Sequence, residues 1–87
     1  MGEFMAVHYF HCTDGKDLVV DRTGWRTRSK REVEPVTFRV ASELMRSASG
    51  PVDWSDWLVS VQDSNGSMVA VVSFPDALAL EDATPNG

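Results

Sequence analysis

The spacing of apolar positions changes twice along the chain. In AVHYFHCTDGKDLVVD, residues 6–21, two short β-rich runs flank Asp14-Gly15, a dipeptide that favours a two-residue type I′ turn. In WLVSVQDSNGSMVAVVSF, residues 57–74, a stricter alternation is interrupted at Asn65-Gly66 and predicts a second hairpin. Between them, SKREVEPVTFRVASELMRSASG has the helical period, opens on the capping-box pattern Ser29-x-x-Glu32 and stops at Ser49-Gly50-Pro51. The predicted order is ββαββ: an α+β domain with a four-stranded antiparallel sheet and one helix packed on one face. The order of strands within the sheet is not readable from the pattern.

Pro35 conflicts with a helix capped at Ser29, because it would fall in the second turn without an N–H to donate. The expectation is a kinked first turn or a start at Pro35, with a secure part from Val36 to Ala48. On a helical wheel Val33, Val36, Phe38, Val40, Ala41, Leu44, Met45 and Ala48 share an arc of roughly 200°. Val40 and Leu44 lie near its centre, and Phe38 and Met45 lie at one edge. A two-residue turn at Asn65-Gly66 sets Val61 opposite Ala70, Val59 opposite Val72 and Trp57 opposite Phe74 on an apolar face. The reverse face pairs Gln62 with Val69, Ser60 with Val71 and Leu58 with Ser73. The helix is therefore expected on the Trp57 side, with Val40 and Leu44 inward.

Length and composition limit what this architecture can carry. At 87 residues the chain is one domain, near the lower size at which a core supports folding unaided. Met1-Gly2-Glu3-Phe4 precedes a second methionine, and Glu-Phe is what an EcoRI junction encodes, so residues 1–4 read as a cloning-derived leader. Residues 5–79 are then the domain, and residues 80–87 an acidic tail expected to be disordered. No apolar run approaches the roughly 20 residues of a membrane span. The single Cys12 and the lack of a secretory leader favour the cytoplasm.

The residues that invite chemistry argue against it. In HYFHC, residues 8–12, strand alternation sends His8, Phe10 and Cys12 one way and Tyr9 and His11 the other. Two histidines on opposite faces cannot share an ion, and no further His or Cys exists to complete a zinc shell. His8 and Cys12 share a face but stand roughly 13 Å apart, too far for a base and its nucleophile. With a two-residue turn at Asp14-Gly15, His8 would instead lie opposite Asp21. Asp53 and Asp56 in VDWSDW read as a polar turn entering a strand. No catalytic residue, metal site or cofactor is expected, and the reading is not an enzyme.

Charge is polarised along the chain. The net charge is -5, yet all 8 Lys and Arg fall between Lys16 and Arg46. Arg22, Arg26, Arg28, Lys30 and Arg31 form a run without an acid, and Trp25 lies within it. These six residues are a candidate contact for a polyanion or an acidic protein surface. Apolar residues in excess of one helix–sheet contact suggest self-association, most simply a two-fold dimer, through Phe10, Val19, Phe38, Met45, Leu58, Val69 and Val71. The alternative is that the connection from Ser47 to Asp56, carrying Trp54, folds over that face.

Tyr9-Phe10-His11, Asp14-Gly15, Asp21-x-x-Gly24, Trp57-x-Val59-x-Val61-x-Asp63-x-x-Gly66 and Phe74-x-Asp76-Ala77 together resemble a small uncharacterised domain family found mainly in rhizobia and related alphaproteobacteria. The chain departs from that pattern at Pro35 and in Trp25 and Trp54. The resemblance implies the fold and a bacterial cytoplasmic setting, but no activity. The functional expectation is a non-enzymatic protein-interaction or self-association module, with an accessory nucleic-acid-binding role through residues 22–31 as the alternative.

Overall fold

The computed structural model describes residues 6–28 and 30–83. The expected leader, Ser29 of the expected capping box, and residues 84–87 of the expected tail lie outside the described residues. The elements are β1 (Ala6–Thr13), β2 (Leu18–Val19), β3 (Trp25–Thr27), α1 (Val33–Ser47), β4 (Leu58–Asp63), β5 (Met68–Ser73) and α2 (Phe74–Ala83). The α+β class stands, but the order is βββαββα, with a five-stranded antiparallel sheet and two helices rather than four strands and one. The strands run β2-β1-β4-β5, and β3 pairs with β1. His8 pairs with both Asp63 of β4 and Trp25 of β3, so β3 shares with β2 the edge of β1 that faces away from β4.

Both loops were expected to be two-residue turns, and in both an aspartate carboxylate reshapes the turn. Asp14 Oδ1 accepts the amides of Lys16 and Asp17, and Thr13 Oγ1 donates to the Asp17 carbonyl at 2.6 Å. Residues 14–17 therefore form a four-residue loop in which Gly15 alone takes a positive φ, +94°. Thr13 pairs with Leu18, which places Trp25, not Asp21, opposite His8. In the second loop Asp63 Oδ1 accepts the amides of Asn65 and Ser67, and the Gly66 amide donates to the Asp63 carbonyl. Three residues turn the chain, Gln62 pairs with Met68, and a bulge follows at Val61/Gln62. The expected partners of Leu58, Val59, Ser60 and Val61 are all observed. The Gln62–Val69 pair is lost because the bulge takes up Val69, and Trp57–Phe74 is not a strand pair because Phe74 opens α2, although its amide donates to the Trp57 carbonyl at 2.9 Å.

Helix α1 starts two residues before Pro35, after a 3₁₀ turn at Lys30–Glu32. The proline then falls in the first turn, where an N–H would have no helical partner, so neither a kink nor a start at Pro35 is needed. Its inward face is Val33, Thr37 and Ala41, about 40° round the helix from the expected Val40 and Leu44 centre. Thr37 tolerates burial because its hydroxyl donates to the Val33 carbonyl at 2.7 Å. The shift follows from α2, against which α1 packs more extensively than against any strand. Helix α2 replaces the start of the expected tail, since residues 80–83 belong to it. The Ser73 hydroxyl caps it by accepting the Asp76 amide at 3.2 Å.

The core lies between the helices and one side of the sheet. Phe10, Cys12, Val59, Val61, Phe74 and Ala77 are nearly or fully buried, and Trp57 joins them. Trp54 and Phe74 stack at 5.4 Å between ring centres, and Trp54 and Trp57 meet at 5.3 Å. The connection after α1 thus closes over the core rather than over the opposite side of the sheet.

Candidate functional site

Asp21, at the gap between β2 and β3, gathers a dense set of polar contacts. A strand edge leaves its amides without partners wherever the neighbouring strand stops. Here Asp21 Oδ2 accepts the Phe10 amide at 3.1 Å, filling that break along β1. Its Oδ1 accepts the amides of Thr23 and Gly24, at 3.1 and 2.9 Å, and its own amide donates to Nδ1 of His11 at 3.0 Å. Burial raises the Asp21 pKa, but the amides of Gly24, Phe10 and Thr23 and the Thr23 hydroxyl outweigh it and hold the carboxyl below its usual value. Gly24 has φ +77°, and a Cβ there would stand 2.6 Å from Cγ1 of Val7 and 3.0 Å from Cε2 of Tyr9. The Asp-x-x-Gly segment is thus a latch that holds a turn against β1.

The residues of HYFHC are all used structurally. His8 is buried on the helix side, with Nδ1 2.9 Å from Oγ1 of Thr27. His11 lies on the opposite side, accepting the Asp21 amide and stacking with Tyr9 at 6.5 Å between ring centres. Burial, reinforced by the charge of Asp21, pushes the Cys12 thiol up to about 11, so the group is a protonated core residue at neutral pH. No group of three potential metal ligands occurs among the described residues. Asp53 closes a turn by accepting the hydroxyl and amide of Ser55, which hold its carboxyl below the usual range.

Within the basic run the structure parts Trp25 from the cation beside it. Arg22, Arg26, Arg28 and Arg31 are exposed, and nothing is described of the Lys30 side chain. Alternation along β3 puts Trp25 and Arg26 on opposite sides of the sheet. Trp25 packs against the core, and the Arg39 guanidinium lies 6.0 Å from the centre of its ring.

The expected self-association patch is also divided. Phe10 is only 2% exposed and faces the helices, which removes it from any contact surface. Val19, opposite Cys12, is on the helix side as well, at the mouth of a cavity of about 290 Å³ shared with Val40, Glu43 and Leu44. Phe38 and Met45 are half-buried on α1, and Met45 packs against the core. Val69 borders a second cavity beside the helices. Leu58 and Val71 alone remain on the open side, where Leu18 and Met68 join them. Leu18 was missed because the wrong face of the first hairpin was taken as the open side: Phe10 and Val19 were placed there, whereas Leu18, opposite Thr13, is the residue that faces it.

A five-stranded sheet covered on one side by two helices, with an aspartate latch on its first strand, defines a small α+β domain. Residues 7–75 match the family described as Domain of unknown function (DUF6894), and the chain belongs to that family. No curated protein and no solved structure matches it. No helix among the described residues is long and apolar enough to cross a membrane.

Proposed function

We propose that the domain is a non-enzymatic protein-interaction module that self-associates through the side of the sheet facing away from both helices. The observation that carries this reading is the exposure of Leu18, Met68 and Val71 on that side, at 61%, 56% and 55%. Leu58 lies between the strands that carry them, among Thr13, Ser60 and Ser73, which can hydrogen-bond across a contact. A two-fold axis through this side would bury the apolar residues of both copies and enlarge a core near the lower size limit. The setting assumed is a reducing cytoplasm, in which Cys12 stays a free thiol.

Light scattering on a sizing column tests the reading at tens of micromolar protein. The expected mass is twice 9.6 kDa for the unchanged chain, falling to one copy when Val71→Lys places a cation in the contact. A mass of one copy for the unchanged chain removes self-association and leaves a different protein as the partner.

A further inference from the structure

Strand β5 ends the sheet, and among the described residues no strand pairs with its outer side. Such an edge presents unpaired N–H and C=O groups, and proteins ordinarily blunt it with charge, proline or brevity. MVAVVS has neither charge nor proline and is six residues long. A bulge interrupts its start, but the stretch from Ala70 to Ser73 keeps regular pairing with β4. The opposite edge is made of strands of two and three residues separated by the Asp21 turn. Among the described residues, β5 is therefore the one long edge without a pairing strand.

Beside that edge, on the helix side, is a cavity of about 310 Å³. Its apolar walls include Val33 of α1, Val69 and Val72 of β5 and Leu80 of α2, and two carboxylates, Glu34 and Asp76, complete the lining. Both acids are exposed. Apolar walls with an anionic rim suit a long aliphatic stem that ends in a cation, which is the form of lysine and arginine.

We infer that β5 accepts an extended segment of a partner protein as an added strand, whose lysine or arginine enters the cavity with its cation at Glu34 and Asp76. Main-chain hydrogen bonds along the edge supply attachment without sequence preference, and the cavity supplies the preference for a cation. This contact uses the edge of the sheet and its helix side. It is independent of self-association through the open side, and either can hold without the other.

The test uses the full chain labelled with ¹⁵N, and seven-residue peptides of alternating threonine and valine whose central residue is lysine, norleucine or glutamate. The lysine peptide should shift the amides of Ala70 to Ser73 and of the first turn of α1, and bind about ten-fold or more tightly than the glutamate peptide. Glu34→Lys with Asp76→Lys should reverse that order, and thermal unfolding run alongside reports whether the variant stays folded. If it does not, the peptide series on the unchanged chain still decides. Equal binding of the three peptides, or none at millimolar concentration, overturns the proposal. Shifts along β5 that grow with protein concentration before peptide is added, and that peptide does not displace, overturn it in favour of a second copy at this edge. Repeating the titration with Leu18→Lys, a change on β2 away from the β5 edge, separates the two surfaces, because loss of the dimer with unchanged peptide binding leaves the edge site standing alone.

Discussion

At the scale of single residues, Asp21 concentrates what is unusual in this fold. Its carboxylate replaces a missing stretch of strand, supplying through Oδ2 the acceptor that the Phe10 amide would otherwise lack. Asp21→Asn keeps the shape but turns an NH₂ group toward one set of donors. The expected loss is about 1–2 kcal/mol at neutral pH, discounted because the site is partly open to water. The folded-state pKa lies below the unfolded value, so the stabilisation is present in full above about 3.9 and is lost as pH falls through the folded pKa. Urea unfolding of both proteins from pH 7 into acid should show their difference closing below that point. A difference that persists unchanged in acid would mean that shape, not charge, is what Asp21 contributes.

At the scale of elements, the parts legible in the sequence were those set by simple periodicity. Alternation alone placed Val59, Val61 and Trp57 inward and paired four residues of β4 with the correct partners in β5. The errors came from side chains that compete with backbone patterns. Asp14 and Asp63 captured nearby amides and lengthened both turns, which shifted β2 and placed Val69 in a bulge. The missed strand β3 is three residues long and gives no period to detect. Helix α2 did carry a signal, since Ser73-Phe74-Pro75-Asp76 has a capping serine, a first-turn proline and an acid near the N-terminus. Reading Phe74 as the end of a strand concealed it, and with it the second helix that turns α1 onto its Thr37 and Ala41 face. The family match ends at residue 75, yet Ala77 beyond it is fully buried. Phe74 joins α2 to the tryptophans at 54 and 57, and Phe74→Ala should cost about 3–5 kcal/mol. Urea denaturation checks this, and a loss under about 1 kcal/mol would mean that α2 contributes little to the folded state.

At the scale of the whole molecule, the distribution of charge in sequence and in space must be distinguished. A run with five cations between Arg22 and Arg31 resembles a nucleic-acid contact when read linearly. The fold parts the aromatic ring of that run from its neighbouring cation, because β3 sends Arg26 to the open side and Trp25 to the helix side. Trp25 rests against the core with Arg39 near its ring, which leaves it poorly placed to stack on a base. The net charge of -5 adds a general repulsion toward phosphates. Fluorescence anisotropy with labelled single- and double-stranded oligonucleotides at low salt should therefore detect no binding tighter than about micromolar. Replacing Arg26, Arg28, Lys30 and Arg31 by alanine should leave that result unchanged. Tight binding that weakens steeply as salt rises, and disappears in the four-alanine variant, would mean that these cations converge on one phosphate backbone, and the nucleic-acid reading would displace the protein-contact reading.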